Sequence, residues 1–217
     1  MADETWYRRR TWTDEDQSAF FAKLRRSRSG FHKAQYCRIQ AYELQQAGNY
    51  GAALQLLNFL ITGWPNDAQE AAVFQQQAEC LEKLGDKTAA LDAYRRVFDT
   101  QRRKRNSQTT AHLGFGLLIA LSPDPELYDE ALSVLDEFGS SRSLTFPIEE
   151  FKAAAIRALI ADAKGSRDEA SRQAELALTA AGKTHSGLPR HAKLGLVTTI
   201  QSNLEDRIKG IASRPDE

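Results

Sequence analysis

The chain has 217 residues, 41% hydrophobic and 27% charged, a balance that buries a core and excludes an intrinsically disordered chain. Lys plus Arg and Asp plus Glu each number 29, so no net charge draws the whole molecule to nucleic acid or an anionic membrane. Two cysteines are too few for a disulfide framework and point to a reducing compartment.

Helix signals run the length of the chain. Alanine, leucine, glutamine, glutamate and arginine dominate, and apolar residues recur every three or four positions. Sustained apolar/polar alternation is missing, so the expected class is all-α. At the start, MADETWYRRRTWTDEDQ carries an arginine run, followed by charge where a signal peptide needs an apolar stretch. The longest nearly apolar run, LGFGLLIAL at 113–121, is about half a bilayer span. A soluble, cytoplasmic protein with no membrane contact is expected. Thr13 before Asp14, Glu15 and Asp16 reads as an N-cap with acids where the helix dipole favours them. It opens a helix carrying Phe20, Phe21 and Leu24, so residues 1–30 form an arm and a capping helix.

A repeat follows. Counting from Ala34, Cys37 falls at place 4, Ala41 at 8, Leu44 at 11, Gly48 at 15, Ala53 at 20, Leu57 at 24, Leu60 at 27 and Pro65 at 32. From Ala71, the residues Phe74, Ala78, Leu81, Gly85, Ala90, Tyr94 and Val97 take the same places. From Phe151, so do Ala154, Ala158, Ala161, Gly165, Ala170, Ala174 and Ala177. Small residues at places 8 and 20 let two antiparallel helices approach closely. The glycine can take the left-handed conformation that ends the first helix, and proline stops the second. Each hairpin leaves an apolar side for a neighbour to cover.

Residues 107–138 form a less regular hairpin, with Tyr128, Ala131, Leu135 and Phe138 at second-helix spacing after a long SPDPEL turn. The expected units are 34–67, 71–104, 107–138 and 151–182 within 31–186. Over 187–217, Leu194, Val197, Ile200, Leu204, Ile208 and Ile211 predict one amphipathic capping helix before a tail.

The spacing resembles the tetratricopeptide repeat family, whose 34-residue unit follows W-x2-L-G-x2-Y…A-x3-F…P. The match is degenerate: Cys37 stands for Trp, Gln40 for Leu, Arg102 for the second proline, and alanines fill large-residue places in the third segment. The resemblance implies a right-handed α-solenoid of about four hairpins with a cap at each end. It also implies a groove lined by places 2, 5, 9 and 12 of the first helices. Those are Gln35, Arg38, Tyr42 and Gln45, then Ala72, Gln75, Glu79 and Glu82, then Lys152, Ala155, Leu159 and Asp162. Such a groove suits a polar or amphipathic peptide, with Arg38 and Tyr42 as anchors. Some family members clamp a terminal carboxylate with lysine and asparagines. Arg38, Tyr42 and Gln76 stand at those places, so that specificity is not implied.

No reaction is specified. His32, His112, His185 and His191 are scattered, with no pair at zinc spacing, so neither a metal site nor a cofactor is expected. The Gly-x-Gly of HLGFGLL follows no strand and reads as close helix packing. No catalytic residue is assigned. A basic patch gathers Arg95, Arg96, Arg102, Arg103, Lys104 and Arg105, with Asp99 the one acid in RRVFDTQRRKRNSQ. A second basic group is Arg8, Arg9 and Arg10, with Arg25, Arg26, Arg28 and Lys33 further on. The expected function is a non-catalytic interaction module of bacterial type (adaptor, chaperone or neutralising partner) that binds another protein or peptide. Alternatives are nucleic-acid or acidic-partner binding through the arginines, and a homo-oligomeric scaffold built on a terminal helix.

Overall fold

The computed structural model describes residues 5–64, 69–104, 107–139, 146–198 and 202–214, and no strand occurs among them. The chain divides into two compact units, Met1–Ala111 and His112–Glu217. The first holds α1 (Asp14–Arg26), α2 (Gly30–Gln46), α3 (Tyr50–Gly63), α4 (Glu70–Leu84) and α5 (Lys87–Arg103). At the start of the second is α6 (Ala111–Ala120), then a 3₁₀ turn (Pro125–Leu127) and α7 (Tyr128–Gly139). It continues with α8 (Pro147–Ala163), α9 (Arg167–Ala181) and α10 (Ser202–Ala212).

Three turns share one construction. Gly48, Gly85 and Gly165 adopt φ of 79°, 82° and 75°, the left-handed conformation that side chains resist. The residue after each glycine donates its N–H back across the helix end: Asn49 to Leu44 O at 2.9 Å, Asp86 to Leu81 O at 3.0 Å, Ser166 to Ala161 O at 2.9 Å. This six-to-one bond satisfies a carbonyl the helix would otherwise leave bare. In two turns the same residue then caps the next helix, with Asn49 Oδ1 accepting from Ala52 N–H and Asp86 Oδ1 from Ala89 N–H. A few residues thus end one helix and start another, folding α2 on α3, α4 on α5 and α8 on α9. The small residues sit where the helices meet: Ala41, Ala53, Ala78, Ala90, Ala158 and Ala170 are all buried.

The first unit's core runs through Phe20, Leu24, Cys37, Leu44, Leu57 and Leu60. Thr13 caps α1 in a reciprocal pair with Asp16, as its acidic first turn predicts. Cys37 and Cys80 are free and fully buried, and burial pushes both thiols up to about 12. In the second unit a Cβ on Gly116 would meet Ile156 Cδ1 at 2.8 Å, so α6 lies close to α8. Tyr128, Ala131, Leu135 and Phe138 bury one face of α7, following their spacing.

The C-terminal expectation needs correction. Leu194 and Val197 do not belong to a helix; α10 begins at Ser202 and buries Ile208 and Ile211. Before it runs a loop shaped by its own bonds. Ser186 N–H donates to Ala192 O at 2.7 Å, and Ser186 Oγ donates to His191 O at 2.7 Å. Gly187 and Gly195 are both left-handed, and Gly195 presses so closely on Phe146 that a Cβ there would lie 2.5 Å from Phe146 Cβ. Gly195 O accepts from Ile148 N–H at 2.8 Å at the start of α8. Two backbone reversals and this bond override the helical spacing of the apolar residues. Pro65, Arg105 and Ile200 lie outside the described residues.

Candidate functional site

A seam of polar side chains joins α2 to α4 in the first unit. Arg38 Nε donates to Gln69 Oε1 at 2.7 Å just before α4. Two turns on, Gln45 Nε2 donates to Glu79 Oε2 at 2.9 Å, and Gln75 Nε2 donates to the other oxygen of Glu79 at 2.8 Å. Glu82 accepts from the buried hydroxyl of Tyr94, and both burial and the Glu82 charge push that phenol's pKa upward. Burial lowers the pKa of Arg38, which stays cationic. Among the expected groove residues of this unit, Gln45, Gln75 and Glu79 are brought together as bonded side chains, while Arg38 bonds Gln69 instead. Tyr42 stands between Arg38 and Gln45 on the same face of α2 and is 49% exposed. Gln35 is half-buried one turn before Arg38, outside this bonded group.

Two oxygens in the seam are left over. Gln45 Oε1 and Gln76 Oε1 are buried and accept no hydrogen bond from the described residues. The amide of Gln45 cannot turn round to relieve this, because its nitrogen already serves the Glu79 carboxylate. Gln76 is oriented similarly by its contact from Nε2 to Arg38 O at 3.5 Å. A buried acceptor without a donor costs about 1–3 kcal/mol, so these two oxygens are a cost that the seam carries.

The sequence leaves open whether the N-terminal arm covers this face. Residues 5–12 instead follow the other flank of α2. Trp6 and Tyr7 pack on Tyr36 with ring centroids 4.9 and 4.8 Å apart. Gln40 is fully buried and holds the arm by both ends of its amide. Its Oε1 accepts from Arg9 N–H at 3.0 Å, and its Nε2 donates to Arg9 O at 2.6 Å. Arg8 and Arg10 pair with Glu43, and Arg9 pairs with Asp16. The Thr11 hydroxyl, the Thr13 N–H and Arg9 together hold the Asp16 carboxyl down at about 2.

The basic patch is reorganised by the fold. Arg95 pairs with Asp92, Arg102 with Asp99, and both Arg103 and Lys104 reach Glu70 on α4. Arg96 lies over the Phe74 ring, 3.9 Å from its centre. Asp99 is therefore not the sole counter-charge; Glu70 supplies one that only the hairpin α4–α5 brings near. In the second unit Lys152 is half-buried on α8, and Leu159 is a core residue with 3% exposure. The expectation that Leu159 lines a groove is corrected: α8 is packed on faces that α2 leaves to solvent.

Sequence reasoning missed Gln69 and Glu70, and it named Gln40 and Gln76 only as departures from the repeat pattern. Gln45 and Glu79 are 34 residues apart, as are Glu70 and Lys104, while Asp129 and Lys164 are separated by 35. Gln45 and Glu79 join the first helices of successive hairpins, whereas Glu70 and Lys104 close the open end of one hairpin. Among the described residues no group of His, Cys, Asp and Glu is arranged to hold a metal ion, and no helix is long and apolar enough to cross a membrane. Comparison with known protein families, curated proteins and solved structures finds no match.

Proposed function

We propose that the chain is a non-catalytic interaction module of tetratricopeptide type, working in the cytoplasm, that holds a segment of another polypeptide along the seam between α2 and α4. Its architecture on this reading is a right-handed solenoid of about four hairpins with terminal caps. Three turns built on the same glycine, and the Gln45–Glu79 bond between the first helices of successive hairpins, support that reading. The observation that carries the function is Tyr42, an exposed aromatic ring flanked on its helix face by Arg38 and Gln45. A large side chain at a polar edge gives a peptide apolar contact area beside groups that can bond its backbone. Nucleic-acid binding through Arg95, Arg96, Arg102, Arg103 and Lys104 is the weaker reading, because these cations already meet carboxylates or an aromatic ring.

The test is selection of a displayed peptide library on the full chain, followed by titration of the selected peptides. Tyr42→Ala is expected to weaken binding about tenfold or more, with helix content unchanged by circular dichroism. Titration with single-stranded and duplex oligonucleotides runs alongside. Peptides that bind Tyr42→Ala and Glu79→Ala as tightly as the wild type would remove the seam from consideration. Oligonucleotide affinity that falls on neutralising Arg102 and Arg103 would replace it with the basic patch.

A further inference from the structure

We propose that α1 pairs antiparallel with α1 of a second copy of this chain, making a weak two-fold dimer. This surface is separate from the α2–α4 seam and does not depend on it. Between α1 and α3 lies an open cleft of about 570 Å³, lined by Asp14, Gln17, Ser18, Phe21, Arg25 and Phe59. The α1 residues of that lining recur at three- and four-residue spacing, so they form one stripe along the helix face. Phe20 and Leu24 point the opposite way into the core with no exposure. The stripe is thus a second, outward face on a helix whose inward face is already used.

Its floor is aromatic. Phe21 meets Phe59 at 5.0 Å between ring centroids, and Phe59, still 39% exposed, meets Trp64 at 5.2 Å. Its two ends carry opposite charge, and among the described residues neither Asp14 nor Arg25 takes part in an ion pair or side-chain hydrogen bond. About 16 Å of helix separates them. An occupant must therefore be elongated, apolar in its middle, basic at one end and acidic at the other.

The stripe itself meets that description. The pairs Asp14 with Arg25 and Ser18 with Phe21 are both centred on the peptide bond between residues 19 and 20. When two such helices lie antiparallel about that midpoint, Asp14 of one copy faces Arg25 of the other, twice. The small Ser18 faces the large Phe21, also twice, so a ring enters the hollow beside a serine on each side. A two-fold contact needs this self-complementarity, and antiparallel helix dipoles add to it. The helix is 13 residues long, too short for the roughly 800 Å² per partner of a standard interface. Dissociation on the order of 10 μM or weaker follows.

Sedimentation equilibrium on the full chain across a dilution series tests the pairing. The wild type is expected to move from monomer towards dimer mass with concentration. Asp14→Arg and Arg25→Asp, each alone, are expected to weaken association tenfold or more by setting like charges face to face. An equimolar mixture of those two variants should associate again, because each contact then joins opposite charges. Ser18→Trp, at an exposed position, should abolish pairing by filling the hollow, and it guards against misfolding of the charge variants. A wild type of constant monomer mass up to about 1 mM overturns the proposal. So does a dimer that both charge reversals leave intact, or a mixture that fails to re-form one.

Discussion

At Gly48, Gly85 and Gly165 the backbone turns left-handed where a methyl group would find nothing within 4 Å, so space is not what demands glycine. Replacing any one by alanine should cost about 1 kcal/mol through backbone strain alone, measurable by urea denaturation. Gly116 is the opposite case, an ordinary helical backbone with Ile156 against it. Gly116→Leu should cost about 1–3 kcal/mol by overpacking. The first group is legible in sequence because turn glycines fall at a fixed place in a repeat. The tight contact at Gly116 is legible only as a kind of role, since no spacing reveals which side chain opposes it. Asp16 adds a pH effect. Its folded value of about 2 lies below the ordinary 3.8, so its contribution is present above pH 4 and is lost as pH falls through about 2. Emission from Trp6 and Trp12 should report the arm loosening in that window, and Asp16→Asn should abolish that dependence.

The helices differ in how firmly they are tied down, and sequence conveys this unevenly. Along α8 the buried positions include Phe151, Ala155, Ile156, Ala158, Leu159 and Ile160, spread over more than one face. Repeat spacing makes that segment a hairpin's first helix with a polar side, which is why Leu159 is misplaced from sequence. Alanine and leucine at formally outward places are ambiguous until the neighbours are known. In α10 the described buried residues are Ile208 and Ile211 alone. Amide exchange should therefore be slowest in α8 and fastest, among helices of the second unit, in α10; equal protection would contradict this. The lost half of the expected C-terminal helix has a local cause in Gly187 and Gly195. One glycine inside an apolar spacing is visible, but its clamp on Phe146 joins residues far apart in sequence.

For the molecule as a whole, the division into two units has an observable signature. Trp6, Trp12 and Trp64 are all the tryptophans of the chain, and all fall in the first unit. Fluorescence therefore follows that unit, while circular dichroism follows every helix. In urea the two signals should give non-coincident transitions, and superimposable curves would show that the units unfold as one. The arm, residues 5–12, carries a further consequence. To trypsin, Arg8, Arg9 and Arg10 offer three consecutive targets, yet cleavage needs an extended strand threaded into the protease. Here the main chain of Arg9 is already occupied on both sides by the single side chain of Gln40. Digestion should begin instead after Arg25, Arg26 or Arg28, and the RRR cluster should be cut late. Gln40→Ala should reverse that order, turning the most protected arginines into the first to be clipped.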